Sequence, residues 1–385
     1  MKSSKTKVCI IGLGYTGLPL AIYCKYKGFD VTGVDIDKKK IELIKKKNIK
    51  INDINISKIF KKTNIKLSLT VTPANIFVIC LPTPVDEYNN PDLSFLITAI
   101  KMINKVVKDK DLIIIESTIY PGLSEEIILP KIKKSIKNVY LAHCPERINP
   151  GDNKWSISNI PRVLGAINKQ SLKIAYNFYL RLIGKKNILK VSSIRVAESC
   201  KVFENIFRDV NIALVNEMAQ AFFRMNIDTK EVIKACSSKP FSFMPHWPGI
   251  GVGGHCIAVD PYYMIERGRV AGFDHDFLKL ARKINSNMPI YSLNLLQNSL
   301  NEIGKSISKT KIGVYGLAYK PNVNDKRESP SLEILKRLKE DKGANVKVYD
   351  PYFQKDSDFK KLNDLLKWAE AIIICTAHDE IVKMN

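Results

Sequence analysis

The feature that most constrains the fold of this chain is a glycine pattern directly after its first apolar run. Residues 7–11 read KVCII, which predicts a short β-strand, and GLGYTG and a helical pattern follow at once. Gly12, Gly14 and Gly17 have the spacing at which glycines permit a tight turn, close approach of a pyrophosphate and close packing of helix on strand. The sequence therefore predicts a strand, a phosphate-binding turn and a helix in succession.

An acidic residue follows at the expected distance. Asp35 ends the next predicted strand, residues 29–34, about 20 residues after the turn. A carboxylate there binds the adenosine ribose hydroxyls of NAD and disfavours the 2′-phosphate of NADP. We therefore predict NAD as the cofactor; the alternative is that the glycines only make a turn in a doubly wound fold.

The alternation of strands and helices continues to about residue 190. A helix is predicted near 93–107, and strands at 74–80, from 111 and from 138. Thr83 and Thr118 follow two of these strands, and Glu146 and Arg147 follow the last. Ligands bind at the carboxyl ends of parallel strands, so residues 1–190 are predicted to form an NAD-binding domain with these side chains at its ligand edge.

A long helix is predicted next. Residues 195–226 contain no Gly or Pro, and their apolar residues recur at three- and four-residue steps. A helix of about 30 residues spans roughly 45 Å, which suits a link between two domains or the core of a homodimer. Lys201 and Asn205 share one face of it. Together they can stabilise a developing oxyanion, or they are solvent-facing polar residues.

The stretch PGIGVGGHCIAVDPYY, residues 248–263, places a cysteine among glycines. A thiol is a strong nucleophile only as thiolate, and a glycine-rich loop with exposed N–H groups favours that charge while leaving room for a substrate. Cys256 is the predicted nucleophile and Asp260, four residues on, its polar partner. The alternative is a small buried cysteine in a tight turn.

The last part of the chain partly repeats the first. After a helix predicted at about 274–303, KIGVYGLAY echoes VCIIGLGY, and NVKVYD ending at Asp350 echoes DVTGVD. A second doubly wound domain is predicted at 306–385, with a central helical domain at 191–305. Lys320 and Arg327, in the loop after its first strand, are candidate phosphate contacts, unless that loop is an ordinary polar one.

The charge of the chain is strongly basic, with 61 Lys plus Arg against 38 Asp plus Glu. The lysines are scattered and carry no interleaved aromatic residues, so we expect a solvated surface and no nucleic-acid partner. No apolar window reaches the ~18 residues of a membrane helix. The eight cysteines have no metal-ligand spacing, which predicts no metal site and reduced thiols in the cytoplasm.

Several of these stretches together resemble one family. GLGYTGLP, EST, CPERINPG, AESCKVFEN, GGHCIAVDPYY and YKPNVNDKRESPS occur in the order typical of nucleotide-sugar 6-dehydrogenases and cover nearly the whole chain. The wording is most similar to the branch acting on UDP-N-acetylhexosamines, closest to UDP-N-acetylglucosamine 6-dehydrogenases. The resemblance implies two Rossmann-like domains joined by a central helical region, and oxidation of a sugar's primary alcohol to a carboxylate with two NAD and a catalytic cysteine.

The resemblance also implies a role for each matching residue. Those expected to contact NAD are Gly12, Gly14, Gly17, Asp35, Thr83, Thr118 and Arg327. Those expected to contact the UDP-sugar are Glu146, Arg147, Lys201, Asn205, Gly253 and Lys320. Those expected to serve the chemistry are Cys256, Lys201, Asn205, Asp260, Glu146 and Thr118.

Other readings stay open at this stage. UDP-ManNAc, UDP-GalNAc and UDP-glucose are alternative substrates, since these sugars differ little from UDP-GlcNAc. The family usually continues some tens of residues beyond TAH, whereas this sequence ends at CTAHDEIVKMN, which leads us to expect a shortened UDP-binding domain. A catalytically idle NAD-binding scaffold is the alternative of another class.

Overall fold

The computed structural model describes residues 5–49, 51, 53–132, 136, 138–148, 154–254, 256–340 and 343–384. His255 of the cysteine loop and residues 149–151 of CPERINPG therefore lie outside the described residues. The chain divides into two compact units, the first Met1–Glu204 with Tyr262–Arg267, the second Asn205–Pro261 with Gly268–Asn385. None of the described helices combines the length and the apolar character needed to span a bilayer.

The first unit is built on one sheet whose described strands follow the order β3-β2-β1-β4-β5-β6-β7-β8. The strands are β1 Lys7–Ile11, β2 Asp30–Val34, β3 Lys66–Ser68, β4 Ile76–Ile79, β5 Leu112–Ile115, β6 Tyr140–His143, β7 Arg162–Ala166 and β8 Ile188–Lys190. Strands β1 to β6 are parallel, and β7 pairs antiparallel with β6. This is the doubly wound α/β arrangement that the sequence predicts.

Both faces of this sheet are covered, which explains its nearly continuous apolar strands. The helices are α1 Gly17–Tyr26, α2 Lys38–Lys45, α3 Ile54–Lys62, α4 Ser94–Ile103, α5 Leu129–Lys131 after a π-helical turn Ser124–Ile128, and α6 Lys169–Ile183 before a 3₁₀ turn Lys185–Asn187. Val8 and Ile10 face one core, and Cys9 and Ile11 face the other. Buried strands place the loops at their ends in fixed positions.

The antiparallel strand β7 and its neighbour β8 are not predicted from the sequence. A central strand that is buried on both faces reads as an apolar run in either direction, so its orientation is not encoded in its pattern. RVLGA, residues Arg162–Ala166, is fully buried and brings a charged side chain into the interior.

The long helix α7 covers Ile194–Arg224, within two residues of its predicted ends. Its first turns belong to the first unit and the remainder to the second. The further helices are α8 Thr229–Cys236, α9 Asp260–Val270 and α10 Asp276–Glu302. The middle of α9, Tyr262–Arg267, belongs to the first unit.

The second unit contains a three-stranded parallel sheet in the order β10-β9-β11. Its elements are a 3₁₀ turn Ile307–Lys309, β9 Lys311–Tyr315, α11 Pro330–Glu340, β10 Asn345–Tyr349, α12 Leu362–Trp368, β11 Ala371–Ile374 and α13 Asp379–Val382. The predicted second doubly wound region is confirmed.

The turn after β9 repeats the backbone geometry of the turn after β1. Gly12 has a φ of 91° and Gly316 a φ of 92°. Leu13 donates its backbone N–H to the Asp35 carboxylate at 3.0 Å, and Leu317 donates to Asp350 at 2.6 Å. In the second turn, however, Ala318 and Pro321 stand where the first has Gly14 and Gly17.

Candidate active site

The glycines after β1 each meet a different requirement. A Cβ at Gly12 would lie 2.5 Å from the Cys80 carbonyl oxygen, and one at Gly17 would lie 1.8 Å from the Gly12 carbonyl oxygen. Both positions therefore need glycine for packing. A Cβ at Gly14 meets no protein atom within 4 Å, so the constraint there is not packing within the chain. This agrees with a position where a pyrophosphate approaches the backbone of an NAD-binding turn.

Asp35 is held at the end of β2 by three donors. Its Oδ2 accepts from the Leu13 N–H at 3.0 Å and from Lys40 Nζ at 2.8 Å, and its Oδ1 accepts from the Asp37 N–H at 3.0 Å. Burial by itself would raise the pKa of Asp35, but these hydrogen bonds, led by Lys40, lower it below the usual value. An ionised carboxylate at this place fits the ribose hydroxyls of NAD.

The loops after β4 and β5 are joined to each other. Thr83 Oγ1 donates to the Thr118 carbonyl at 2.8 Å, and the Leu81 N–H donates to Ser117 Oγ at 2.9 Å. The Tyr263 hydroxyl donates to the Thr83 carbonyl. The structure therefore brings Thr83 and Thr118 together at the carboxyl edge of the sheet, as their positions after parallel strands predict.

Glu146 lies just after β6 on the same edge, and both of its carboxylate oxygens are engaged. Oε1 accepts from the Arg147 and Ile148 N–H groups at 2.7 and 2.9 Å. Oε2 accepts from the Arg162 guanidinium at 2.5 Å. The predicted site residue Arg147 points its own guanidinium at Glu204, with NH2 2.5 Å from Oε1.

Arg162 is a functional candidate that the sequence analysis misses. It lies on β7 with no exposed surface and pairs with two carboxylates, those of Glu116 and Glu146. Its partners are distant in sequence, so no local motif marks it. The one available signal is a charged residue opening an otherwise apolar strand.

On α7, the predicted pair Lys201 and Asn205 falls on the two sides of the boundary between the units. Lys201 is half-buried in the first unit. Asn205, in the second, is buried and donates its side-chain amide to Asp260 Oδ2 at 2.5 Å. The Asn205 amide, which is predicted to stabilise an oxyanion, thus also binds the Asp260 carboxylate.

Within the second unit, Cys256 lies in the turn that leads into α9. Its side chain is half-buried, and its carbonyl accepts from the Val259 and Asp260 N–H groups at 3.0 and 2.8 Å. Asp260 has 2% of its surface exposed. Cys256, Asp260 and Asn205 are therefore connected by a chain of hydrogen bonds.

The glycines beside Cys256 have a packing role that the sequence analysis does not predict. A Cβ at Gly253 would lie 2.6 Å from the Glu328 carbonyl oxygen, and one at Gly254 would lie 2.9 Å from the Tyr319 ring. The Gly254 N–H also donates to the Arg327 carbonyl at 3.1 Å. The cysteine loop therefore packs directly on the loop after β9.

That loop carries the two predicted phosphate contacts. The Arg327 guanidinium is exposed and forms a two-point ion pair with Asp325, with NH2 2.6 Å from Oδ2. Lys320 places its ammonium 5.8 Å from the centre of the Tyr319 ring. The structure thus puts both cations in the loop that packs against the cysteine loop.

A buried amide network anchors the start of the cysteine loop and is also missed from the sequence. Asn216 Oδ1 accepts from the Gly249 N–H, and its amide donates to Asn285 Oδ1, both at 2.9 Å. Asn285 donates in turn to Asp209 Oδ1 at 2.8 Å, and Arg282 donates to the same oxygen at 2.6 Å. Helices α7 and α10 thereby fix the loop's entry.

Three regions match the domains of one family. Residues 6–183 match the NAD binding domain of the UDP-glucose/GDP-mannose dehydrogenase family, residues 195–287 its central domain, and residues 313–385 its UDP binding domain.

Individual relatives extend the likeness over almost the whole chain. A UDP-N-acetyl-D-mannosamine dehydrogenase of Methanococcus maripaludis is 37% identical over 97% of this chain and 86% of its own length. A UDP-N-acetyl-D-glucosamine 6-dehydrogenase of Pseudomonas aeruginosa is 33% identical over 98% and 92%. The solved structure of a UDP-D-ManNAc dehydrogenase from Pyrococcus horikoshii matches with a TM-score of 0.90 and 33% identity, covering 98% of this chain and 91% of that one.

Proposed function

The chain belongs to the UDP-glucose/GDP-mannose dehydrogenase family, and from that premise we propose that it oxidises the C6 hydroxymethyl group of a UDP-N-acetylhexosamine to the uronic acid. It is an NAD-dependent UDP-sugar dehydrogenase. The observation that supports the four-electron reaction best is the chain of hydrogen bonds from the Asn205 amide through Asp260 to the backbone carbonyl of Cys256, which orders the turn that carries the thiol.

The NAD site is assigned to the first unit. The turn at Gly12, Gly14 and Gly17 would hold the pyrophosphate, Asp35 the ribose, and Thr83 the loop beside the cofactor. Each of two NAD molecules, when bound in turn, would accept one of the two hydrides that the reaction removes from C6.

The first oxidation gives an aldehyde. One hydride leaves C6, and the hydroxyl proton passes to a water polarised by Lys201, while Asn205 and Lys201 offer donors to the oxygen as its charge develops. The Cys256 sulfur then bonds to the aldehyde carbon, and its proton passes to the oxygen, which gives a thiohemiacetal.

The second oxidation turns that adduct into a product. A second hydride leaves the same carbon and the hydroxyl loses its proton, which leaves a thioester on Cys256. Water positioned by Glu146, Thr118 and Asp260 attacks this carbon, the carbon–sulfur bond breaks, and a proton returns to the sulfur. One alcohol, two NAD and one water thus give one carboxylate, two NADH and three protons.

Two sugars within this class have separate support. The wording of the CPERINPG and GGHC motifs favours UDP-GlcNAc. The names of relatives at 35% to 37% identity favour UDP-ManNAc. Lys320, Arg147 and Gly253 are assigned to the UDP-sugar, and Arg327 to NAD, on the family resemblance.

The test is a substrate panel with stoichiometry. UDP-GlcNAc, UDP-ManNAc, UDP-GalNAc and UDP-glucose are each incubated with NAD, and NADH and uronate are quantified. We expect two NADH per sugar consumed with one of the N-acetylhexosamines. NAD binding without turnover on any of the four sugars would instead support an idle scaffold, and preferred turnover of UDP-glucose would overturn the substrate class.

We also propose that α7 is the core of a homodimer. Phe207, Leu214 and Met218 lie on one face of the helix with 44%, 54% and 38% of their surface exposed. Large apolar side chains in a row on a helix are typical of a covered face, and a second copy of the same helix offers a matching one. Light scattering of the wild-type protein should give twice the chain mass. Leu214→Glu should give monomers. Val270→Glu, at an exposed position of α9, is the control and should remain dimeric. A monomeric wild-type protein at micromolar concentration contradicts this.

We place the reaction in the cytoplasm, because Cys256 acts only as a reduced thiol and reducing compartments preserve it. Fractionation of the source cells should recover the activity in the cytoplasmic fraction. Its recovery outside the cytoplasmic membrane would refute this location.

A further inference from the structure

The buried cluster behind Glu146 carries an inference beyond the proposed reaction, although it rests on that reaction. Arg162 has no exposed surface, and its two terminal nitrogens reach different carboxylates. NH1 lies 2.9 Å from Glu116 Oε1, and NH2 lies 2.5 Å from Glu146 Oε2. The guanidinium therefore fixes the separation and direction of two carboxylates at once.

Glu146 is held from its other side as well. Its Oε1 accepts the backbone N–H groups of Arg147 and Ile148 at 2.7 and 2.9 Å. The Arg147 side chain, in turn, fastens this loop by donating to Glu204 and to the Pro161 carbonyl, the latter at 2.9 Å. With donors on both oxygens, the Glu146 carboxylate is held from two sides.

The far side of Arg162 is fixed by a second layer. The Tyr179 hydroxyl donates to Glu116 Oε1 at 2.6 Å, and Tyr179 and Glu116 are both buried. Burial raises the pKa of Glu116, although Arg162 acts against it. Glu116 and Tyr179 therefore hold one side of Arg162, while its other terminal nitrogen is directed at Glu146.

Such a cluster is a poor device for stability alone. Taking one guanidinium and two carboxylates out of water is costly for each ion, and apolar side chains of similar volume often stabilise a fold equally well. The distinctive product of the arrangement is a carboxylate held in a fixed direction at the ligand edge of the sheet.

We propose that Arg162 is a positioning residue that orients the Glu146 carboxylate toward the water that hydrolyses the Cys256 thioester, with Glu116 and Tyr179 holding Arg162 in place. Arg162 acts through Glu146 and takes no part in hydride removal. Its loss should therefore slow the last step and spare the two oxidations before it.

The test separates these steps in stopped flow. Arg162→Lys keeps the charge but cannot bridge both carboxylates, and Tyr179→Phe removes only the bond to Glu116. For Arg162→Lys we expect a rapid burst of two NADH per active site, followed by a steady-state rate about a hundredfold below wild type. Tyr179→Phe should show the same pattern with a smaller loss. Intact-protein mass spectrometry of both should reveal the acyl group on Cys256.

The control is Arg181→Lys, at an arginine of α6 whose guanidinium lies over the Phe29 ring at 4.1 Å. It should leave both phases unchanged. If the burst amplitude and the steady-state rate fall by the same factor in both cluster variants, the inference is overturned. A purely structural defect reduces the number of active sites and therefore lowers both phases equally. Thermal melts show whether the Arg162→Lys protein is folded. If it is unfolded, the kinetics of Tyr179→Phe test the inference. A wild-type protein that forms no NADH from any UDP-sugar overturns the proposed function, and the inference with it.

Discussion

Asn205 donates its side-chain amide to Asp260 Oδ2 across 2.5 Å, with both side chains buried. Asp260 also gives its backbone N–H to the Cys256 carbonyl at 2.8 Å. Asn205 is thus linked through Asp260 to the backbone of the proposed nucleophile, and its amide helps to hold the Asp260 carboxylate in place. The role expected for it at the sugar oxygen is joined by a second role in ordering the cysteine turn.

Asn205→Ala should lower kcat strongly while lowering the melting temperature only slightly. The change removes from the buried Asp260 carboxylate one hydrogen bond, worth about 1.5–3 kcal/mol, which corresponds to roughly a 10- to 100-fold loss in kcat. We expect KM for NAD to stay constant. Asn211→Ala, on the same helix, is the control because its amide donates, within the described part of the chain, to the Phe207 carbonyl at 2.6 Å and not to the cysteine loop. An unchanged kcat with a lowered melting temperature would assign Asn205 to structure alone.

Cys256→Ser should abolish uronate formation. The serine hydroxyl keeps the size of the side chain but is a far weaker nucleophile at neutral pH, so the second oxidation loses its covalent adduct. We expect uronate production to fall by at least roughly 10³-fold, measured by chromatography of the UDP-sugar products. Uronate at the wild-type rate would remove the nucleophile role from Cys256.

Asp35→Ala should raise KM for NAD. It removes the predicted ribose contact and also frees Lys40, whose Nζ lies 2.8 Å from the Asp35 carboxylate. We expect KM for NAD to rise about 10- to 100-fold. The preference for NAD over NADP should also decrease, because the released Lys40 ammonium attracts the 2′-phosphate of NADP. Asp350→Ala removes the matching carboxylate in the second unit, and it should lower the melting temperature without changing KM for NAD. Equal effects of the two variants on KM would contradict the assignment.

His143→Leu should make the fold less sensitive to acid. His143 on β6 has no exposed surface, and burial lowers its pKa from 6.5 to about 3 against the opposing effect of the Ile115 carbonyl. The unfolded chain therefore binds the proton first, so this contribution to stability is complete above about pH 6.5 and is lost as the pH falls toward 3. At ~1.4 kcal/mol per pKa unit the effect is a few kcal/mol. Denaturant melts between pH 7 and 4 should show a shallower decline for the variant, and parallel declines would contradict this.

The parts of the fold that the sequence predicts are those whose geometry is encoded locally. Gly12 and Gly17 are needed within a single turn, and the 3.6-residue period of α7 runs for 31 residues without a breaker. Asp35 is also predictable, because its place after β2 is set by the same short segment of strand, turn, helix and strand. The confirmed repeat at Gly316 has the same origin.

The parts that it does not predict depend on partners far apart in the chain. Arg162 meets Glu116 and Glu146 only after β7 inserts beside β6 in the opposite direction. The glycines beside Cys256 are read as space for a substrate, whereas Gly253 and Gly254 also make room for the loop after β9. Neither relationship leaves a periodic or spaced signal, because tertiary contacts select these residue types.

The two glycine turns differ in what surrounds their acids. Asp35 pairs with Lys40, which is one-third exposed and can move away, whereas Asp350 has no exposed surface and pairs with the buried His378 at 3.2 Å. Ala318 and Pro321 further close the second turn to a dinucleotide. Among the described residues, only the turn at Gly12 retains the full set of three glycines.

That asymmetry sets an order of events on the proposed reaction. Two NAD molecules would bind at one site in succession. The first NADH therefore has to dissociate while the sugar is still at the aldehyde level. A covalent tether keeps the reactive aldehyde from diffusing away during this exchange. Because the buried Asp350 leaves the second turn without a ribose-binding acid, the proposed oxidation would use the one cofactor site at Gly12 twice, while Cys256 would retain the sugar between the two steps.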